Sequence, residues 1–309
     1  MLQFFLHIGF SKSASSWLQA YFKQVKNIFF IEKSRFFAPL NNDLNKYGKG
    51  QKYYYSLFEE ANINDIKLES DEHIILPDIH PLLSIHGTTL ESVKLIIDRI
   101  KNTIEQPKII LVIRNHQSLI LSRYSQYIVD GGKLTFKDFF NEIINCSLDH
   151  KNYFENYYYL IINELYNKFG NENVHIIFQE NLLKDEDDTL VKLNKFMDVP
   201  LDFNVKRNLF NQRMGLSLWG VKILRIINLF LIKEKGLLNQ NKGTYKPNIT
   251  RIPYFIYFNL FVRGIRFFDY SSSYFIRRNI KELLDDDIIN KINNIFSDDN
   301  KKLNNLFDE

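Results

Sequence analysis

Three side-chain types at two separated places in this chain carry chemistry. At the front, Lys12 stands among Ser11, Ser13, Ser15 and Ser16, directly after Gly9. About a hundred residues later Arg114 ends an apolar run, and Ser122 follows it by two helical turns. A lysine among hydroxyls at the opening of a helix is an anion cradle. The first backbone N–H groups of a helix have no internal acceptor, and the helix dipole adds partial positive charge there. The Walker pattern of a phosphate loop is not met, because Ser11 and not glycine precedes Lys12 and the second glycine is missing. An ordinary strand-to-helix turn with a solvated lysine is the alternative reading of this stretch alone. Arg114 supplies the second half. A guanidinium at the carboxyl end of a buried strand can clamp a phosphate through two parallel hydrogen bonds. Ser122 would face the same crevice and add a hydroxyl. Taken singly, Arg114 reads as a surface ion pair and Ser122 as a polar spot on a helix; their spacing after a buried strand favours the joint reading.

The elements that must position these residues alternate. Phe4–Ile8, Lys108–Ile113 and Val174–Phe178 are short continuous apolar runs, the pattern of strands buried on both faces. Another apolar run, His73–Asp78, ends at Pro77, and Asp78 closes it. Helical spacing is expected from Ser15, over 89–104, 117–129, 136–145, 153–169 and 189–196, with a loop and a helix inside 34–64. Strand and helix in alternation define an α/β fold with a central, mainly parallel sheet flanked by helices in three layers, extended by a helical C-terminal part. In such sheets ligands sit beyond the carboxyl ends of the strands. Three of those ends are chemically loaded here: Gly9 to Lys12, Asp78, and Arg114.

Composition narrows the classes. The chain has 309 residues and a formal net charge of +4, enough for one large core and too mild a charge to argue for nucleic acid. The abundance of Asn, Ile, Lys, Phe and Tyr fits AT-rich coding, so aromatic content says little about function. A single cysteine, Cys146, excludes an internal disulfide and any cysteine-rich metal site. No signal peptide is expected at Met1, and a cytoplasmic place follows, with the inner face of a membrane as a variant. The stretch 216–232 is apolar but interrupted by Lys222 and Arg225, short of a membrane span. It and 252–268, where aromatics mix with basic residues, have the make-up of interfacial helices or of core and lid helices.

At this point the residues resemble the sulfotransferases that use 3′-phosphoadenosine 5′-phosphosulfate (PAPS). HIGFSKSASSWLQAYF is similar to that family's 5′-phosphosulfate loop, and IILVIRNHQSLILSRYSQY to its 3′-phosphate segment of apolar strand, Arg-Asn-Pro and a following serine. The likeness continues through GGKLTFKDFF and NVHIIFQENLLKDEDDTLVKLNKFMDVP and returns in INNIFSDDNKKLNNLF. Ala14 stands where the family has glycine, Ser15 and Ser16 where it has two threonines, and His116 where it has proline; none of these changes removes a charge.

The resemblance implies a P-loop-type fold and a single sulfotransferase-like domain over 1–309, with a PAPS-binding core at 1–205 and a mainly helical part at 206–309 on the acceptor side. It implies in-line transfer of SO3 to an acceptor hydroxyl with no metal required. Lys12 would neutralise the leaving 5′-phosphate, and Ser13, Ala14, Ser15, Ser16 and Trp17 would hold it. Arg114 and Ser122 would take the 3′-phosphate. Trp17 would stack on the adenine or serve as a core aromatic. For the general base, Asp78 sits where relatives carry a strand-end glutamate, and His80 where others carry a histidine. His7 is expected in the first strand, and His86 and His116 in loops without a role. The acceptor implied is a carbohydrate or glycolipid hydroxyl, with no nucleic-acid partner. A nucleotide kinase or NTPase with a degenerate phosphate loop, and a non-catalytic membrane-surface relative, are the competing functions.

Overall fold

The computed structural model describes residues 3–9, 15–32, 50–62, 65–70, 90–149, 157–199, 216–231, 257–265 and 280–308. Its centre is a five-stranded sheet of β1 (Phe4–Gly9), β2 (Ile28–Glu32), β3 (Ile66–Ser70), β4 (Lys108–Ile113) and β5 (Val174–Phe178). The order is β2-β3-β1-β4-β5 and every pairing is parallel. The chain leaves β1 toward one edge, returns as β3 beside β1, and then crosses to β4 on the other side. The strand order therefore reverses at β1, which is where an open α/β sheet leaves a crevice.

Side-chain alternation explains why β1 and β4 are apolar throughout. Phe4, Leu6 and Ile8 share one face with Ile109, Leu111 and Ile113, under α3 (Leu90–Thr103) and α6 (Tyr157–Phe169). Phe5, Ile110 and Val112 face the opposite layer, with α1 (Ser15–Phe22) and α8 (Glu186–Met197). The three-layer arrangement expected from the sequence is the one present. A second core lies beside it, where α4 (His116–Val129) and α5 (Phe136–Asp149) meet α9 (Leu218–Leu231) and α10 (Asp286–Ile295). Further short helices are α2 (Gly50–Ser56) and α7 (Gln179–Lys184), and the chain closes with α11 (Ser297–Asp308).

Two strands escaped the sequence reading. β2 is half-buried at the sheet edge. β3, Ile-Lys-Leu-Glu-Ser, carries charged residues at buried positions: Lys67 is 4% exposed and Glu69 is fully buried. Hydrogen-bonding partners make this tolerable. Lys67 Nζ donates to the carbonyls of Asn62 and Asp65, each at 2.8 Å. Burial, and next the neighbouring Glu69 carboxylate, push the Tyr54 hydroxyl well above its ordinary pKa. The strand paired with β1 on that side is thus Ile66–Ser70, while the expected strand at 73–78 lies outside the described residues.

The end of α4 is fastened by α9. Asn228 Nδ2 donates to the carbonyls of Ile128 and Gly132, both at 2.8 Å, and Arg225 Nε to that of Lys133 at 2.8 Å. Gly132 has no room for a side chain, since a Cβ would stand 2.3 Å from the Tyr127 ring. The Gly-Gly-Lys-Leu stretch that follows α4 is therefore a packed corner and not a free loop.

Candidate functional site

Three parallel strands end side by side: β3 at Ser70, β1 at Gly9 and β4 at Ile113. Gly9 pairs in register with Val112, so Arg114 begins about 7 Å further along the strand direction. Of the residues singled out above, Ser15, Ser16, Trp17, Arg114 and Ser122 fall in the described parts. Lys12, Ser13, Ala14, Asp78, His80 and His86 lie outside them.

Over β1, the first residue of α1 folds back onto the strand end. A Cβ on Gly9 would meet Ser15 Oγ at 3.1 Å and His7 Nε2 at 3.7 Å. Ser15 is 2% exposed, and its hydroxyl has no hydrogen-bond partner among the described residues. A buried, orphaned hydroxyl is uncommon. Standing at a helix N-terminus, where the first backbone amides have no acceptor within the helix, it suits an incoming anion oxygen. Trp17 is 4% exposed and lies flat on Tyr21, ring centroids 5.8 Å apart, so the core-aromatic role is filled.

Beneath this turn His7 is fully buried and held near a pKa of about 3 by desolvation, hence neutral. Its Nδ1 is 2.7 Å from Ser70 Oγ, which also accepts from Gln19 Nε2 at 3.2 Å. One polar knot thus ties β1, β3 and α1 together at the crevice floor, as the placement of His7 in the first strand anticipated.

Across the crevice the backbone at Arg114 is fixed from several directions. Its carbonyl accepts from the Tyr158 hydroxyl at 2.8 Å. The next amide, Asn115 N, donates to Glu180 Oε1 at 3.0 Å, and Asn115 Oδ1 caps α4 by accepting from Gln117 N at 3.0 Å. The guanidinium is half-buried; desolvation lowers its pKa, and the charges of Glu180 and then Tyr158 oppose that shift. A partly dehydrated cation in a fixed frame is preorganised for an oxyanion. Ser122 sits on α4, whose buried residues are His116, Leu119, Ile120, Arg123, Tyr124 and their fellows. Ser118, Ser122 and Ser125 make the half-buried polar side of that helix.

His116 corrects the sequence reading. It is no loop residue but the first residue of α4, 5% exposed. Its ring lies between Tyr158, at 4.7 Å, and Phe296, at 3.7 Å and nearly parallel. Proline suits the first helical position because its φ is preset and no N–H is needed there; here a flat ring exploits the same position for stacking. Burial, with the Arg123 charge adding to it, lowers His116 to about 3. The contact of its Nε2 with Asp299 Oδ2, 3.6 Å, therefore joins a neutral imidazole to a carboxyl and is not an ion pair. Tyr158, Phe296, Asp299 and Glu180 were all missed from sequence, for no local period marks residues that act across such separations.

A parallel sheet with an anion-suited helix start and a framed arginine on either side of its reversal point defines a nucleotide-type α/β protein. Residues 4–219 match the sulfotransferase domain family, well over half of the chain, and the protein belongs to that family. A comparison with curated proteins finds no match. Among solved structures, a sulfotransferase from Alicyclobacillus acidocaldarius is 20% identical with a TM-score of 0.46, the alignment covering 70% of this chain and 87% of that one. A mouse sulfotransferase complexed with PAP is 15% identical with a TM-score of 0.40, covering 65% of this chain and 60% of that one. A sulfotransferase domain of the Synechococcus PCC 7002 olefin synthase is 12% identical with a TM-score of 0.42, covering 77% and 91%. Among the described residues no helix is long and apolar enough to cross a membrane.

Proposed function

We propose that the protein moves a sulfuryl group from PAPS to a hydroxyl of a carbohydrate or glycolipid acceptor. The observation that carries this reading is the orphaned Ser15 hydroxyl over Gly9, facing the reversal point that Arg114 borders within the family-matched region. On this reading the α1 N-terminus, with Lys12 and the hydroxyls of Ser15 and Ser16, holds the 5′-phosphate. Lys12 neutralises the charge that grows on the bridging oxygen as the S–O bond breaks. Arg114 and Ser122 take the 3′-phosphate, the group that separates this donor from ATP. Asp78 removes the acceptor proton, with His80 in contact with the acceptor. The S–O bond of the phosphosulfate breaks as the acceptor oxygen bonds to sulfur, and the leaving group is adenosine 3′,5′-bisphosphate (PAP). Incubation with labelled PAPS and a panel of glycans, glycolipids and small alcohols tests this; absence of transfer to every hydroxyl class, with no PAP formed, overturns it.

Contact with a membrane surface belongs to the same proposal. On α9 the apolar residues Trp219, Ile223, Ile226 and Phe230 recur at helical spacing, and each is exposed, Phe230 to 67%. Lys222 lies 5.6 Å over the Trp219 ring. An aromatic and aliphatic stripe bordered by basic side chains suits an anionic lipid interface, where a glycolipid acceptor would reside. Flotation with anionic and neutral vesicles checks it: binding to the anionic ones, lost in Phe230→Ser/Trp219→Ser, is expected, and no flotation with either refutes it.

A further inference from the structure

The frame around Arg114 does not end at its own strand. Asp299, in α11, is buried, and its Oδ1 accepts from Tyr159 N at 2.9 Å. It thus caps the N-terminus of α6 from the far end of the chain, supplying an acceptor to amides that have none within the helix. That first turn of α6 carries Tyr158, whose hydroxyl donates to the Arg114 carbonyl at 2.8 Å. Phe296, 3% exposed between α10 and α11, closes the other side of the His116 ring at 3.7 Å. Gln117 Nε2 donates to Asn293 Oδ1 of α10 at 3.1 Å. Two routes therefore run from the final helices to one peptide segment: Asp299 through Tyr158 to the Arg114 carbonyl, and Phe296 through His116 to the residues that follow.

We infer that the C-terminal helix pair is a positioning device for Arg114, with Phe296, Asp299 and Tyr158 as positioning residues that set the affinity for the donor's 3′-phosphate without touching it. The inference rests on the reading of Arg114 as the 3′-phosphate ligand. An arginine clamp has directional demands, since two N–H bonds must meet two oxygens at once. A backbone free to shift by a few tenths of an ångström loses one of them. Among the described residues, those of the 5′-phosphate site on β1 and α1 share none of these contacts.

The test compares PAP with adenosine 5′-monophosphate by calorimetry on the full chain. The two ligands differ only at the 3′ position, so their affinity ratio isolates that subsite and is insensitive to a general loss of folded protein. Tyr158→Phe removes the hydroxyl that donates to the Arg114 carbonyl and should reduce the ratio by about fivefold, the size of one ordinary hydrogen bond. Phe296→Leu, which keeps most of the apolar volume, should reduce it similarly while monophosphate affinity stays as in the wild type. Arg114→Ala is the control and should abolish the preference. If Arg114→Ala loses the preference while Tyr158→Phe and Phe296→Leu keep it, the positioning role is overturned and the reading of Arg114 stands. If Arg114→Ala itself keeps the preference, that reading falls and the inference falls with it.

Discussion

Replacing Ser15 by alanine should raise the stability of the free protein and weaken donor binding. The Ser15 hydroxyl is 2% exposed and has no partner among the described residues, so within them it is a desolvated polar group with nothing in return. Such a group costs about 1–3 kcal/mol, and removal of one small oxygen leaves a void well below a methyl's worth of packing. The first effect wins, and a gain of about 1 kcal/mol is expected, a rise in Tm of about 1–2 °C for a chain of this length. Bound donor reverses the sign. A hydroxyl donating to a phosphate oxygen is worth about 1.5–3 kcal/mol, so PAP affinity should fall about ten- to hundredfold. Thermal melts with and without PAP read both effects in one series: the variant should melt higher alone and show a smaller ligand-induced rise. A variant that melts lower alone and gains as much from PAP as the wild type would show that Ser15 is a structural hydroxyl, and the anion site would have to be sought elsewhere.

Lys12→Ala should abolish sulfuryl transfer with the far-ultraviolet circular dichroism unchanged; near-wild-type turnover would remove the leaving-group role. Asp78→Asn should reduce turnover by about a hundredfold, the lower range for a lost general base, with PAP affinity intact, whereas His80→Ala should chiefly raise KM for the acceptor. Reversed effects in steady-state kinetics would exchange the two roles. Acid should destabilise the fold through its buried histidines. His7 and His116 are held near 3 and His175 near 4, each by burial, against about 6.5 when exposed; the unfolded chain takes up protons first, so stability falls as pH drops below about 6.5. Asp299, raised to about 6 by burial, acts oppositely, for between about 4 and 6 the folded chain holds the extra proton. Asp299→Asn should therefore make Tm fall more steeply over that interval; a shallower fall would contradict the assignment.

Much of this molecule is determined by residues that speak locally. β1, β4 and β5 are buried on both faces, so their apolar runs are continuous and stand out in any reading of the chain. α4 announces itself by Asn115 at its cap and a glycine pair past its end, and the helix-start serines beside Gly9 mark a candidate anion site that Arg114 completes. Those features depend on neighbours within a turn or a strand, and such neighbours are visible in sequence. Tertiary structure decided what distant partners decide. Lys67 and Glu69 alternate with Ile66 and Leu68 as on a half-exposed strand, yet both are buried: carbonyls of the preceding turn receive the lysine, and Tyr54 of another helix reaches the glutamate. The edge strand β2 is half-exposed and is recognised by its pairing with β3 and not by its own pattern. His116 has the composition of a loop residue until Phe296 and Tyr158 close over its ring. Arg114 was legible as a cation at a strand end, yet its frame comes from α6, α7 and the last two helices, elements whose approach is set by burial of their apolar faces against the sheet and against neighbouring helices. A charge can be read from the chain by its type and place; the frame that holds it is a property of contacts between segments far apart in sequence.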